Sequence, residues 1–300
     1  MSIFNTKQYL AAISGGPDSI ALLNMYHRHI KVVCTVKYNK RPDCSYDVEC
    51  VQKICEKHKI HFELLDVTDD IYQKYNDDNN FQSKARKIRY DFFVQVAKKY
   101  KVTKILVAHH LDDFLETGYA QIQANSKNLF YGIKDKSNYN GIEIIRPFIN
   151  RYRKKTLQRY CDDLNLQYAI DSSNDSDDYQ RNVIRKKIQV LNNDQVYDLL
   201  KRIKKYNRNN KKTIKTINKI YQTWQTNNFL IKDFLNFDPN QKYHLIYNYL
   251  SENGFYRPPS SKIQAIILFL QANDNSKKYR LSNDSFLVKE NGILKIKNNC

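Results

Sequence analysis

No two of the six cysteines stand in a C-x-x-C pair. The spacing of Cys44, Cys50 and Cys55 fits neither a zinc ribbon nor a small disulfide scaffold, so these three, with Cys34, Cys161 and Cys300, read as reduced thiols. Long apolar runs are missing too: the longest, Ile263 to Gln271, has polar interruptions and falls well short of a membrane span. Met1 to Lys7 lacks the basic start and apolar stretch of a signal peptide, and a cytoplasmic protein is expected. Glycine (seven) and tryptophan (one) are scarce beside abundant Lys, Asn, Ile and Tyr, the usage of an AT-rich genome. Acids are the last deficit, with 31 Asp and Glu against 50 Lys and Arg and a formal charge of +19. So lopsided a balance is unusual for a metabolic enzyme and suggests a polyanionic partner, RNA or DNA first, although genome composition accounts for part of it. The excess is uneven, +8 over residues 1–190 and +11 over the shorter remainder. Three hundred residues suffice for two domains, each with its own core, and no internal repeat is found.

Against this background Ser14-Gly15-Gly16-Pro17-Asp18-Ser19 stands out. It lies between an apolar run, Tyr9 to Ile13, and a helical stretch, Ile20 to Met25, and reads as strand, tight turn, helix. Two glycines let the backbone turn sharply and approach a ligand closely, and the new helix aims unpaired N–H groups and its positive dipole end at that ligand. Such a place suits phosphate. No Gly-Lys-Ser/Thr follows, so this is not a Walker A loop; Asp18 stands where the Lys is expected, and an acid beside phosphates implies a divalent cation between them. The same residues also suit an ordinary βα turn. The hexapeptide resembles the SGGxDS loop of the PP-loop ATP pyrophosphatases, and the resemblance implies cleavage of ATP to AMP and pyrophosphate while an oxygen is activated.

Strands are predicted at Lys31–Tyr38, His61–Val67, Lys104–Ala108 and Ile142–Phe148, the last stopped by Pro147. Helices are predicted at Cys44–His58, Gln82–Tyr100, from near Asp112, and over about Tyr152–Leu164, with a loop or loose helical turn across Asp69–Asn80. This alternation specifies an α/β fold with a doubly wound, mostly parallel sheet, followed by a small helical and α+β region. Ligands in such sheets sit at the carboxyl ends of the strands, where the Ser14 loop and the His109 segment both fall.

In His109-His110-Leu111-Asp112-Asp113-Phe114-Leu115-Glu116-Thr117, the adjacent histidines point to opposite sides and are poorly placed to chelate one ion. Asp113 and Glu116 share a helix face, and Asp112 lies one turn before Glu116. Crowded carboxylates ask for a cation, either Mg²⁺ or a substrate ammonium. A capped helix start with a solvated Glu116 fits the same residues. Upstream, Arg86, Arg89 and Tyr90 share a helix face that suits phosphate oxygens or plain solvent, while Ile88, Phe92 and Phe93 turn toward the sheet. Downstream, Asp171-Ser172-Ser173-Asn174 is a turn, and Arg181 and Arg185, one turn apart on a helix, could clamp a phosphate or a carboxylate.

The order SGGPDS, ARKIRY, HHLDDFLET, IIRPF, DSSN and RNVIR, spread over residues 8 to about 190, resembles the bacterial tRNA(Ile)-lysidine synthase family. The resemblance implies a ligase that forms a carbon–nitrogen bond. ATP would adenylate O2 of the wobble cytidine of a CAU-anticodon tRNA(Ile), and the ε-amine of L-lysine would then displace AMP from C2. In that frame Ser14, Gly15, Gly16, Pro17, Asp18 and Ser19 bind ATP with Arg86 and His109, and Asp18 holds Mg²⁺. Asp113 and Glu116 bind the lysine and complete the catalytic set with Asp18, while Arg181 and Arg185 contact tRNA or nucleotide. Two positions depart from the family pattern. Gln123 to Asn128 stands in place of an Arg-Gly-Ser-Gly-like segment, which removes the Arg that would make that loop contact and leaves Lys127 as a candidate substitute, and Gln82 stands where a Glu often precedes the Ala-Arg pair.

Beyond residue 190 the chemistry thins. Lys201 to Lys219 holds nine basic residues and no acid on a long helix that also carries Ile203, Ile214 and Ile217. Its Lys204, Lys205 and Arg208 form a candidate tRNA-binding face, unless the helix is merely solvated. Trp224, Phe229, Phe234, Tyr243 and Tyr247 are expected to build a core rather than stack on bases. Ser260–Ala272 reads as an apolar helix, and Tyr279–Leu281, Phe286–Glu290 and Ile293–Lys297 as a small sheet with a hairpin at Asn291-Gly292. The expected division is therefore a catalytic domain over 1–190 and a basic tRNA-binding domain over 191–300, with no membrane partner and room for a homodimer. A tRNA 2-thiolation enzyme would share the adenylation but needs reactive or cluster-binding cysteines. A non-catalytic RNA-binding protein with a relic nucleotide pocket is the alternative from another class.

Overall fold

The computed structural model describes residues 8–39, 44–75, 81–169, 179–255, 258–272, 277–283 and 285–298. The chain opens with β1 (Tyr9–Ala12), α1 (Pro17–Tyr26), β2 (Ile30–Lys37), α2 (Cys44–His58) and β3 (His61–Asp66). It continues through α3 (Asp69–Gln73), α4 (Phe81–Lys99), β4 (Lys104–Val107), α5 (Leu111–Gln123), β5 (Lys136–Tyr139) and β6 (Ile142–Ile145) to α6 (Lys154–Asp163), α7 (Tyr179–Gln189) and α8 (Asn193–Thr226). The strands pair in the order β3-β2-β1-β4-β6-β5, every neighbour parallel except the last. This is the doubly wound sheet expected from the alternation of elements. From β1 the sheet grows outward to β3, and from β4 it grows the other way. The reversal opens a crevice at the carboxyl ends of β1 and β4.

A parallel strand covered on both faces must be apolar on both. In β2, Ile30, Val32, Val33, Cys34 and Thr35 are accordingly all buried. Ile20, Leu22 and Leu23 of α1 share one core with Val33 and Phe148, and Ile88 and Phe93 of α4 are buried as their helix face requires. Strand β5 was not expected, because Lys136-Ser137-Asn138-Tyr139 shows no apolar alternation. Its signal is the turn: Tyr139 pairs with Ile142, and Asn140 and Gly141 take φ of +47° and +83°, the positive-φ pair of a two-residue hairpin.

The chain packs as two compact units that part within α8, between Arg208 and Asn209, so residues 191–208 pack with the sheet-bearing unit. The second unit adds α9 (Ile231–Leu235), α10 (Pro239–Glu252), α11 (Ser260–Gln271) and an antiparallel sheet of β7 (Lys278–Arg280), β8 (Ser285–Glu290) and β9 (Ile293–Asn298). Trp224 and Phe234 are fully buried there, with Phe229, Tyr243 and Tyr247 packed against their cluster, so these aromatics do build a core. Among the described residues no helix is long and apolar enough to cross a membrane. The Asp171–Asn174 turn and the side chains of Gln82 and Arg181 lie outside the described residues.

Candidate active site

The crevice is lined first by the Ser14–Ser19 loop. Ser19 closes it: the amides of Ser14 and Gly15 donate to its Oγ at 3.2 and 3.1 Å, and the hydroxyl donates to the Gly16 carbonyl at 2.8 Å. Gly15 sits at φ +91°, and a Cβ there would meet Asp47 of α2 at 2.8–3.0 Å, so both conformation and space require glycine. Gly16 is the N-cap of α1 with no side-chain cap, Pro17 starts the helix and Asp18 stands in its first turn, at the positive end of the dipole.

The second motif meets this loop through His110, a residue that sequence reasoning passed over in favour of His109. His110 is buried, with Nε2 3.5 Å from Asp18 Oδ2 and Nδ1 3.4 Å from Asp113 Oδ2 and 3.7 Å from Asp112 Oδ2. Burial opposes its protonation, but the hydrogen bond to Asp18 and the charges of Asp113, Asp18 and Asp112 outweigh that and raise its pKa. The loop and the acid pair are thereby brought to one place.

The acids have different occupations. Asp112 is buried and structural: Arg153 Nε donates to it at 2.7 Å and the Lys154 amide at 2.7 Å, while Arg153 also donates to the carbonyls of Leu191 and Ile188. Asp113 caps α5 by accepting the His110 amide at 2.8 Å, as a helix start predicts, yet its carboxylate still faces the imidazole. Glu116 is buried, not solvated, with Arg185 Nε 3.8 Å away. Arg185 thus adjoins the acid pair. Arg153 carried no signal that sequence reading used, since its partners are distant in the chain.

His109 points the other way, into basic surroundings. Arg146 Nε donates to its Nδ1 at 3.3 Å, and Arg86 lies over the Tyr90 ring at 4.5 Å with Nη2 donating to the Tyr90 hydroxyl at 3.3 Å. Burial is the largest cause of a His109 pKa pushed down to about 4; Asp113 opposes it, and Arg146, Arg86 and Arg89 reinforce it. Among the described residues no three His, Cys, Asp or Glu side chains form a metal cluster.

Helix α8 exposes Lys204, Lys205 and Arg208. It is fixed on the same unit by Asn207, whose Oδ1 accepts from the Tyr131 amide at 2.7 Å and whose Nδ2 donates to the Tyr131 carbonyl at 2.9 Å, and by Tyr206 stacked on Tyr131. Ile203 sits on Gly118 of α5 so closely that a Cβ there would lie 2.5 Å from it. In the segment that departs from the family pattern, the Ser126 carbonyl accepts from the Tyr131 hydroxyl and Lys127 is exposed.

The PP-loop domain family matches residues 2–191, which fixes the class of the sheet-bearing part. A tRNA(Ile)-lysidine synthase of Ureaplasma parvum is 42% identical over 284 residues, 94% of this chain and 85% of that protein. The Malacoplasma penetrans tRNA(Ile)-lysidine synthase is 39% identical over 97% of this chain and 96% of its own length. Within the PP-loop class, the chain belongs to the tRNA(Ile)-lysidine synthase family. A solved tRNA thiolase from Methanococcus maripaludis superposes with a TM-score of 0.54 at 18% identity, covering 69% of this chain and 72% of that one, a likeness of fold alone.

Proposed function

We propose that this chain joins L-lysine to C2 of the wobble cytidine of a CAU-anticodon tRNA(Ile) at the expense of ATP. The observation that carries the reading is His110 standing 3.5 Å from Asp18 and 3.4 Å from Asp113, which sets the phosphate loop beside the acid pair. An enzyme that presents an α-phosphate and then an amine to one base needs the two sites adjacent. Cytosine O2 attacks the α-phosphate, the bond to the β-phosphate breaks and pyrophosphate leaves. The lysine ε-amine then attacks C2, the C2–O2 bond breaks, and AMP departs with that oxygen.

The loop from Ser14 to Ser19 would hold the pyrophosphate moiety, and Arg86 with His109 would meet the nucleotide. Asp18 Oδ1 is buried without a hydrogen-bond partner, so its carboxylate fits a cation, and it would hold Mg²⁺, which screens the triphosphate charge. Asp113 and Glu116 would bind the lysine ammonium and take its proton, because only the neutral amine attacks. Lys204, Lys205 and Arg208 would track tRNA phosphates, and Arg181 and Arg185 would contact tRNA or nucleotide. The cytidine must leave the anticodon stack to enter. The work would be done in the cytoplasm, and the reading is compatible with a homodimer.

Sulfur transfer fits poorly. Cys34, Cys50, Cys55 and Cys161 are buried, and burial pushes Cys55 and Cys161 up to about 12, leaving protonated, unreactive thiols. The test is incubation with ATP, Mg²⁺ and labelled lysine, with either a CAU-anticodon isoleucine tRNA or elongator methionine tRNA. Label in the isoleucine tRNA alone is expected. Folded protein that binds ATP yet labels neither RNA would overturn the reading, and tight RNA binding without pyrophosphate release would favour a non-catalytic role.

A further inference from the structure

Arg146 is 5% exposed, and it donates to neutral acceptors: His109 Nδ1 at 3.3 Å, the Lys134 carbonyl at 3.0 Å and Ser137 Oγ at 3.0 Å. Among the described residues no carboxylate forms an ion pair with it. Arg146 also reaches the Tyr90 hydroxyl, the group to which Arg86 donates. Two guanidinium groups thus converge on one phenol at the crevice end of β4, beside a neutral histidine. Burial holds the Arg146 pKa below its ordinary value, outweighing the Asp135 charge, which favours the guanidinium without pairing with it, so an anion completes the arrangement. Because Nδ1 of His109 accepts the Arg146 Nε–H, the ring proton is left on Nε2, where it is a donor.

We infer that Arg146 is the positioning residue for the nucleotide α-phosphate: it fixes His109 as an Nε2–H donor and, with Arg86, forms the positive pole that meets the phosphate of the adenylated cytidine and of departing AMP. The identity of that phosphate rests on the lysine-ligase reading; the anion site itself does not. Its scaffold is the polar strand β5, since Ser137 holds Arg146 and Tyr139 packs tilted against Tyr90 with ring centroids 4.9 Å apart. The groups facing His109 are Asp113 from α5, Arg86 and Arg89 from α4 and Arg146 after β6. With Asp113 alone opposing three cations, the imidazole stays neutral at the pH of the cell.

The test uses the full chain carrying Arg146→Gln, Arg146→Lys or Ser137→Ala. It reads AMP binding by calorimetry, His109 titration by NMR, and the rates of adenylation and of lysine transfer in single turnovers. Arg146→Gln should weaken AMP binding about tenfold or more and slow lysine transfer about a hundredfold, as removal of an oxyanion donor does. The KM for lysine should hold, and the His109 inflection should move upward because a nearby positive charge is gone. Arg146→Lys keeps the charge but not the fork, so AMP binding should survive better than transfer. Ser137→Ala should shift AMP binding in the same direction by a few-fold. A folded Arg146→Gln protein with parental AMP affinity and His109 titration overturns the inference. If it does not fold, Arg146→Lys and Ser137→Ala decide by the same readouts. Should the parent transfer no lysine while AMP affinity and His109 titration still respond to Arg146, the phosphate site stands and the ligase reading falls.

Discussion

His109 and His110 are neighbours in the chain and opposites in the fold. One lies among arginines with its pKa pushed down to about 4, the other among three carboxylates with its pKa raised. The cause is the strand end that carries them. Successive side chains leave a strand on opposite faces, so a single peptide bond separates a basic pole suited to phosphate from an acidic one suited to an amine. A reaction that brings an anionic leaving group and an amine that arrives as an ammonium to one base needs both poles, and the fold supplies them from adjacent residues.

The contrast can be broken from either side. The largest effect is expected at the acidic pole: Asp113→Asn should cut lysine transfer by about 10²–10⁴-fold, the usual weight of a general base, while tRNA-dependent release of pyrophosphate in the absence of lysine survives. If both steps fell together, Asp113 would be serving ATP rather than lysine. Next comes Arg153→Ala, which strips the buried Asp112 of its partner and should lower the unfolding free energy by about 3–5 kcal/mol in urea melts. It should also leave Asp112 to hold His110 charged more firmly, visible as a still higher imidazole inflection.

The pH dependence of stability should divide between the two rings. Below the usual imidazole value the unfolded chain takes up a proton that half-buried His109 refuses until about pH 4. Stability is therefore lost as pH falls across that window, by up to about 3 kcal/mol. His109→Gln should flatten this acid-side loss. His110 works in the reverse sense, adding stability that is fully present below the usual value and lost as pH rises through its raised pKa, so His110→Asn should remove that gain. Urea midpoints measured from pH 7.5 to 4.5 check both signs. The smallest change is expected from Arg89→Gln, which removes the least of the three positive influences on His109 and should raise its inflection by only a fraction of a unit.

Much of this site was legible in the sequence because its chemistry is local. Two glycines, a proline and an acid between a strand and a helix define the Ser14 loop without help from the rest of the chain. The spacing of Asp113 and Glu116 likewise puts them on one helix face. What escaped was set by partners far apart in sequence. Nothing near Asp112 announces that Arg153, 41 residues on, will neutralise it. Nothing in His-His says which ring will meet Asp18. Strand β5 was missed for another reason: Asn140-Gly141 was a readable hairpin signal, but the polar strand before it hid the pairing, and with it the seat of Arg146.

That short strand also has a consequence for the protein in a crowded cell. Sheet edges invite strands of other chains, and polar, charged, brief edges discourage them. Four residues long, with Lys136 held to Glu143 across the pair, β5 closes one side of the sheet against such recruitment. The opposite edge, β3, is six residues long and carries Leu64 at 39% exposure. If partly folded copies of this chain ever join strand to strand, the seam should form along β3, and a lysine at position 64 is the substitution that would keep them apart.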